Sequence, residues 1–325
     1  MKLLLIVNPK ASAVTPDRRA VAEEVLGHGH DLTVVETLYR GHAIDVAREA
    51  AATGTQVVAV LGGDGTLNEA ANGLVGTETA LAALPGGSTN VFARTLGSPR
   101  KVKAAVADLA AALDHPPRRI GLGLVNGRYF LFHVGMGFDA AVVGKVEEKP
   151  HLKRSIGQGV FVYAAFATWF RGFDRTRPHL VVRDGDRTVV EDGYFAICLN
   201  TNPYTYLGAR PLNVAPDAGF DQPLVLVTLR TIQLGPFLRL VGSTLASGRR
   251  LRQDAKVDYR PNIEHITVAA WEGDGVGPAG GAAASVAAAD ANRFPYQADG
   301  DYLGEAETLT ISYEPDRLLV VAPRA

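Results

Sequence analysis

The sequence predicts an α/β domain on a parallel sheet, followed by a second domain that is mostly antiparallel β. Three observations carry this. The first third alternates short apolar runs with helical patterns. From Arg118 the texture changes to short alternating or apolar runs between Gly, Asp and Pro turns. Two of the early apolar runs end in glycine-rich turns that open helices.

Leu3–Val7 is a continuous apolar run, the pattern of a strand buried on both faces. Pro16–Leu26 reads as a helix, Leu32–Val35 as a second strand, and Ala43–Ala52 as a helix closed by Gly54. Val57–Leu61 is a third buried strand, Leu67–Leu74 a helix and Leu81–Leu84 a fourth strand; Asn90–Leu96 and Val102–Leu113 complete the alternation. Strands separated by helices imply right-handed crossovers and parallel pairing. Later strands are expected at Arg128–Val134, His179–Arg183, Thr188–Glu191, Tyr194–Leu199 and Leu224–Leu229, with one helix at about Gly157–Phe170. Gly273–Ala291 is Gly/Ala-rich without periodicity, the signature of a disordered or mobile loop. The apolar Leu318–Val321 run is expected to return to the first domain. The expected division is therefore 1–120, with 314–325 returning, and 121–313.

Composition narrows the function classes. The chain has 325 residues, 47% hydrophobic and 21% charged, enough for two domains with separate cores. Its 33 Lys+Arg against 34 Asp+Glu leave a formal net charge of -1, so no global field draws it to nucleic acid. A single cysteine, Cys198, excludes an internal disulfide framework and a Cys-rich metal site, and a reducing compartment fits best. The opening apolar run stops at Asn8-Pro9, too short for an export signal, and Val160–Phe170 is too short to span a bilayer. A soluble or peripheral protein is expected.

The most informative segment is Val57–Glu69, which reads strand, glycine turn, helix. Gly62, Gly63 and Gly65 allow positive φ and close backbone approach, and the following helix aims its N-terminal amides at the turn. Anionic phosphate suits such a place. Asp64 would repel it unless a divalent cation lay between, which implies Mg²⁺. Thr66 can cap the helix and donate to a phosphate oxygen. By itself Gly63-Asp64-Gly65 reads equally well as a tight turn. It is no Walker loop, since no Gly-Lys-Ser/Thr follows. Pro85–Arg94 repeats the theme, leaving a strand through Gly86 and Gly87, with Ser88 and Thr89 at the expected N-cap. Two such turns at neighbouring strand ends define one crevice. Asn8, after the first strand, and Thr37 with Arg40-Gly41-His42, after the second, can join it.

Together these residues resemble the diacylglycerol kinase catalytic-domain family, which also includes bacterial lipid kinases, sphingosine kinases and ceramide kinases. Asn8-Pro9, Thr37 with Gly41-His42-Ala43, Gly62–Thr66 with Asn68-Glu69, and Pro85–Arg94 occur in the family's order. Gly135–Ala140 looks like its Gly-x-Gly-Phe-Asp motif, and Asp299-Gly300-Asp301 stands where the family has Asp-Gly-Glu. The resemblance implies a Rossmann-like first domain, a β-sandwich second domain, and transfer of the γ-phosphate of ATP to a diacylglycerol-like lipid. It puts Asn8, Thr37, Gly62 to Thr66, Asn68, Gly87, Ser88 and Thr89 around ATP and Asp64 in the Mg²⁺–phosphate network. Asp139 would support that network and Asp301 would be the general base. Asp221 would hold a structural Mg²⁺.

Two departures stand out. Val91 replaces a family Asp, and Asp301 is one methylene shorter than the family's Glu. Asp184-Gly185-Asp186 has the letters of the catalytic triplet but the flanks of a hairpin turn. The partners expected are ATP and a lipid at a membrane surface, with a cytoplasmic location at the inner membrane face; a homodimer is left open. Val160–Arg171 reads as a core-packing helix first and an interfacial helix second. Rival readings are a kinase of a soluble acceptor such as NAD, and a non-catalytic ATP- or lipid-binding regulator.

Overall fold

The computed structural model describes residues 1–147, 174–233, 235, 239, 242–273 and 293–322. The helix expected at Gly157–Phe170 and the loop expected at Gly273–Ala291, save Gly273, lie outside them.

The first part alternates as its pattern predicts: β1 (Lys2–Val7), α1 (Pro16–Gly27), β2 (Asp31–Glu36), α2 (His42–Ala52), β3 (Val57–Gly62), α3 (Asp64–Leu74), β4 (Ala80–Pro85), α4 (Val91–Thr95) and α5 (Val102–Ala112). Local chemistry sets the ends. Thr15 caps α1, its hydroxyl accepting from Arg18 N–H, with Pro16 in the first turn. Gly54, in the left-handed region, follows the end of α2. The strands pair in parallel in the order β2-β1-β3-β4. Because side chains alternate along a strand, the apolar runs feed two cores at once. Leu4, Ile6, Val58 and Val60 pack with α2 and α3, whereas Leu3, Leu5, Val7, Ala59 and Leu61 pack with α1 and α5.

The second part holds β5 (Arg118–Val125), β6 (Arg128–Phe130), β7 (His133–Gly137), α6 (Phe138–Glu147), β8 (Leu180–Asp184), β9 (Arg187–Gly193), β10 (Phe195–Leu199), β11 (Thr205–Leu207), β12 (Arg210–Leu212), β13 (Leu224–Leu229), β14 (Val257–Ile263), β15 (His265–Ala270), β16 (Phe294–Ala298), β17 (Asp301–Ala306) and β18 (Thr308–Val321). The single strand expected at Arg128–Val134 is two, β6 and β7, broken around Leu131-Phe132, and the Phe138–Glu147 helix has no counterpart in the sequence reading.

Among the described residues, two large sheets form. One has six strands, ordered β14-β13-β10-β7-β16-β17. The other has ten and continues the parallel strands through β18 into β15, β8 and β9. Val134, Met136, Ala196, Cys198, Val182, Val268 and Ile311, drawn from both sheets, share one core. β18 joins the two parts: it runs antiparallel to β15 and β5, then parallel to β4 through Val320 and Val321.

Candidate active site

Parallel pairing puts the C-terminal ends of β1 to β4 on one side, where the turns that follow them gather. Asn8, after β1, donates from Nδ2 to Thr66 Oγ1 at 2.8 Å and accepts from Lys10 N–H at 3.0 Å. Thr66 is therefore not the helix cap the sequence suggests. Gly63 is the N-cap of α3, and Thr66 lies in the first turn with its hydroxyl on Asn8.

The glycines also differ from expectation. Gly62, Gly63, Gly65, Gly86 and Gly87 are all outside the positive-φ set. Gly86 and Gly87 are needed for contact between backbones, while a Cβ on Gly62 would press on the Thr66 side chain. Gly86 N–H donates to Gly62 O at 2.8 Å. A Cβ on Gly86 would fall 2.6 Å from Gly62 N, and one on Gly87 would fall 2.8 Å from Gly63 Cα. The two turns stack directly on each other, and a side chain would part them.

At α4 the N-cap is Asn90, at φ 52, instead of Ser88 or Thr89. Its amide closes on Gly87 twice, accepting from Gly87 N–H at 2.7 Å and donating to Gly87 O at 2.8 Å. Asp64 Oδ1 accepts from Phe92 N–H at 3.2 Å. Asp64 thus ties the start of α3 to the start of α4. Burial raises its proton affinity, and the α4 amides and Arg94 pull it back down. The N-terminus of α4 is already served by this carboxylate. The first-turn amides of α3 have no partner within their helix.

Thr37 is buried at the end of β2, its N–H donating to Val7 O at 2.9 Å. Beyond it, N–H of Gly41, the N-cap of α2, and of Ala43, in its first turn, donate to Glu69 at 2.8 and 3.3 Å, so α3 also anchors the start of α2.

Asp301 comes from the other half of the chain. A Cβ on Gly65 would lie 3.3 Å from Asp301 Oδ1, so the acid stands against the glycine turn. Its Oδ2 pairs with Arg128 Nη2 at 3.0 Å and Arg40 Nη2 at 3.5 Å, and its side chain is 22% exposed.

The turn that presents Asp301 is held from two directions. Asp299, at φ 50 and 3% exposed, accepts from Leu131 N–H (2.6 Å), Phe132 N–H (2.9 Å), His133 N–H (3.1 Å) and Asn68 Nδ2 (2.8 Å). Burial still pushes its carboxyl up to about 6. On the other side Gln297 Oε1 accepts from Gly300 N–H at 2.8 Å, while its Nε2 donates to Asp139 at 2.8 Å. Asp139 also accepts from the Tyr204 hydroxyl at 2.5 Å. Burial raises Asp139, and burial together with that carboxylate keeps Tyr204 well above the usual phenol range. Asp139 therefore reaches the Asp299–Asp301 turn through Gln297. Gly135 must lack a side chain, since a Cβ there would fall 1.6 Å from Asp139 Oδ2.

Asp221 stands apart. Its side chain is 71% exposed and pairs with Arg118 at 3.3 Å. Among the described residues no three His, Cys, Asp or Glu side chains group as metal ligands. Asp184-Gly185-Asp186 is a hairpin: Asp184 pairs with Arg187 across a two-residue turn with Gly185 at φ 56.

Arg128, Asp299, Gln297 and Tyr204 were not assigned a role from sequence. Arg128 had a signal: Asn126-Gly127, both at positive φ, is the turn of a two-residue hairpin that delivers it to β6.

The diacylglycerol kinase catalytic domain family model matches residues 2–124. A Pseudomonas syringae pv. syringae protein named "Probable lipid kinase YegS-like" is 34% identical over 295 residues, covering 82% of this chain and 92% of that protein. The chain belongs to the diacylglycerol kinase catalytic-domain family. A Bacillus subtilis protein named "Diacylglycerol kinase" is 30% identical over 223 residues, 67% of this chain and 69% of that one. With the Chromohalobacter salexigens "Probable lipid kinase YegS-like" protein the identity is 36% over 190 residues, and the chain spans only 58% of that relative's length. The fold is that of a diacylglycerol kinase structure from Bacillus anthracis str. Sterne, at a TM-score of 0.69 with 19% identity, covering 99% of this chain and 96% of that one. Among the described residues no helix is long and apolar enough to cross a membrane. Val91 is buried, and the α4 amide two positions from the cap donates to Asp64.

Proposed function

We propose that this chain transfers the γ-phosphate of ATP to the hydroxyl of diacylglycerol or a similar lipid alcohol, giving phosphatidic acid in the first case. Residues 1–120 with the segment returning from 314 are the nucleotide half, and 121–313 the lipid half. The observation that carries the reading is the contact of Asp301, from the second half, with Gly65 in the turn that opens α3. An acid placed against a phosphate-binding turn can orient an acceptor hydroxyl and take its proton during in-line attack. The family membership and the relatives' names support the same chemistry.

In this reading Gly62, Gly63, Gly65, Thr66, Gly87, Ser88 and Thr89 line the triphosphate, with Asn8, Thr37 and Asn68 holding the turns. Asp301 sets hard oxygen donors against Gly65, which fits Mg²⁺ arriving with ATP, and Asp64 holds the turn through Phe92 N–H. That ion would neutralise phosphate charge, and Arg40 and Arg128 add positive charge at the same place. Asp139 acts through Gln297 on the turn that carries Asp301. The acceptor is taken from a membrane surface.

The test is label transfer from γ-labelled ATP into lipid. With Mg²⁺ and mixed micelles of diacylglycerol, label is expected in the phosphatidic acid of an organic extract, and chelation of Mg²⁺ abolishes it. Asp301→Asn should lower turnover by about 10³-fold or more while ATP still binds. Label on NAD in detergent-free buffer would replace the reading with a soluble-acceptor kinase. ATP binding with no acceptor labelled would leave a regulator.

A further inference from the structure

We propose that Arg128 is the positioning residue for Asp301, transmitting the location of α3 to the acid on β17; this rests on the reading of Asp301 above. The guanidinium spans two groups from distant parts of the chain. Its Nε and Nη2 donate to Asn68 Oδ1 at 3.2 and 2.7 Å, and Nη2 also donates to Asp301 Oδ2 at 3.0 Å. Asn68 is buried in α3, and its Nδ2 donates to Asp299 Oδ2 at 2.8 Å and Tyr129 O at 2.9 Å. A closed circuit results: Asn68 to Arg128, Arg128 to Asp301, along the backbone to Asp299, and back to Asn68. Three elements, α3, β6 and β17, are fixed to one another at the point where the acid meets Gly65.

Nη2 alone bridges the two oxygens, and Nε adds a second bond to Asn68 Oδ1 that fixes the plane of the guanidinium. A lysine keeps the charge but loses the Nε bond and the rigid plane. Arg40 also reaches Asp301, but at 3.5 Å and with its side chain 60% exposed, so it is the looser of the two. Asp301 is short for its role in the family, which makes its placement by a second side chain the more consequential.

The experiment has two readouts. The first is thermal unfolding of Arg128→Ala, Asp301→Ala and the double variant, which needs no activity. If Arg128 holds Asp301, the double variant's fall in Tm is clearly smaller than the sum of the single falls; additive falls overturn the pairing. Should Arg128→Ala not fold, Arg128→Lys takes its place in the cycle. The second is lipid labelling. Arg128→Ala is expected to lower kcat by about 10²-fold, with KM for ATP within about threefold of the parent's, because displacement by ~1 Å costs that much. Arg128→Lys should stay at least about tenfold below the parent. A kcat within about fivefold of the parent for Arg128→Ala, or a loss confined to KM, overturns the proposal. If the parent labels no lipid, the functional reading falls, and the thermal cycle still decides whether Arg128 holds Asp301.

Discussion

Asp299 is a buried carboxylate with three backbone N–H groups and one amide pointing at it. Replacing it by Asn turns an NH₂ toward those donors, and a buried unsatisfied donor costs about 1–3 kcal/mol. Urea unfolding of Asp299→Asn should show that loss at about pH 4, where the parent's folded carboxyl is itself neutral, and a midpoint equal to the parent's there would refute it. The same residue gives a pH dependence. Its folded-state value, about 6, lies above the ordinary 3.8 of the unfolded chain. Below about pH 4 both states are protonated, and the residue is neutral to stability. Between about pH 4 and pH 6 the unfolded carboxyl ionises while the buried one stays protonated, so stability falls, by up to ~3 kcal/mol, and levels off as the folded carboxyl ionises above 6. Asp64 and Asp139 are shifted in the same direction. Asp299→Asn cannot ionise. Its urea midpoint should therefore change less between about pH 4 and pH 7 than the parent's, and an equally steep change would exclude Asp299 as a source.

At the scale of elements, α3 is the piece to which the others attach. Asn8 reaches its first turn, Glu69 anchors α2, Asp64 anchors α4, and Asn68 reaches both β6 and the turn before β17. Glu69→Ala leaves two amides at the start of α2 without their carboxylate, a loss of about 1–2 kcal/mol measurable by denaturant unfolding. An unchanged midpoint would show that water replaces Glu69. The stacked glycine turns make a sharper case. Gly86→Ala drives a Cβ into the backbone of Gly62, and overpacking of this kind costs about 1–3 kcal/mol. Gly219→Ala meets nothing within 4 Å and is the control. ATP binding by calorimetry should weaken in the first variant alone; equal binding in both would mean that the turns do not need their contact.

Across the whole molecule, β18 carries the two parts. Leu309 and Ile311 belong to the core between the sheets, whereas Leu318 and Val320 belong to the core under α2 and α3. The strand changes register against β5 between Glu314 and Leu318, where Pro315 and the positive-φ Asp316 interrupt the ladder. Leu318→Ala removes a fully buried side chain, and such truncations cost about 2–5 kcal/mol. Because the strand is shared, calorimetry should show a single transition moved to lower temperature. Two separated transitions would mean that the parts melt independently.

How much of this was legible follows from the range of the interactions. The strands and helices of the first part could be read residue by residue, since apolar periodicity and glycine punctuation act within a few positions. The hairpin at Gly185 was legible for the same reason. In the second part, short strands paired at long sequence distance carry weaker signals: β14 to β17 had no assignment and β6 and β7 were merged. The residue types of the site were visible as motifs, but their partners were not. That Asp64 meets Phe92, that Gly86 and Gly87 are needed for contact with Gly62 and Gly63 instead of for positive φ, and that Asp221 faces Arg118 all depend on contacts between segments apart in the chain.

The sequence by itself determined the alternation of the first part, the change to β at Arg118 and the family, because local pattern and motif spacing are written along one dimension. Only the tertiary structure decided which acid stands against Gly65, and that Arg128 and Asn68 hold it there. Those facts are distances between residues 60 to 236 positions apart, set by how helices and sheets close on each other.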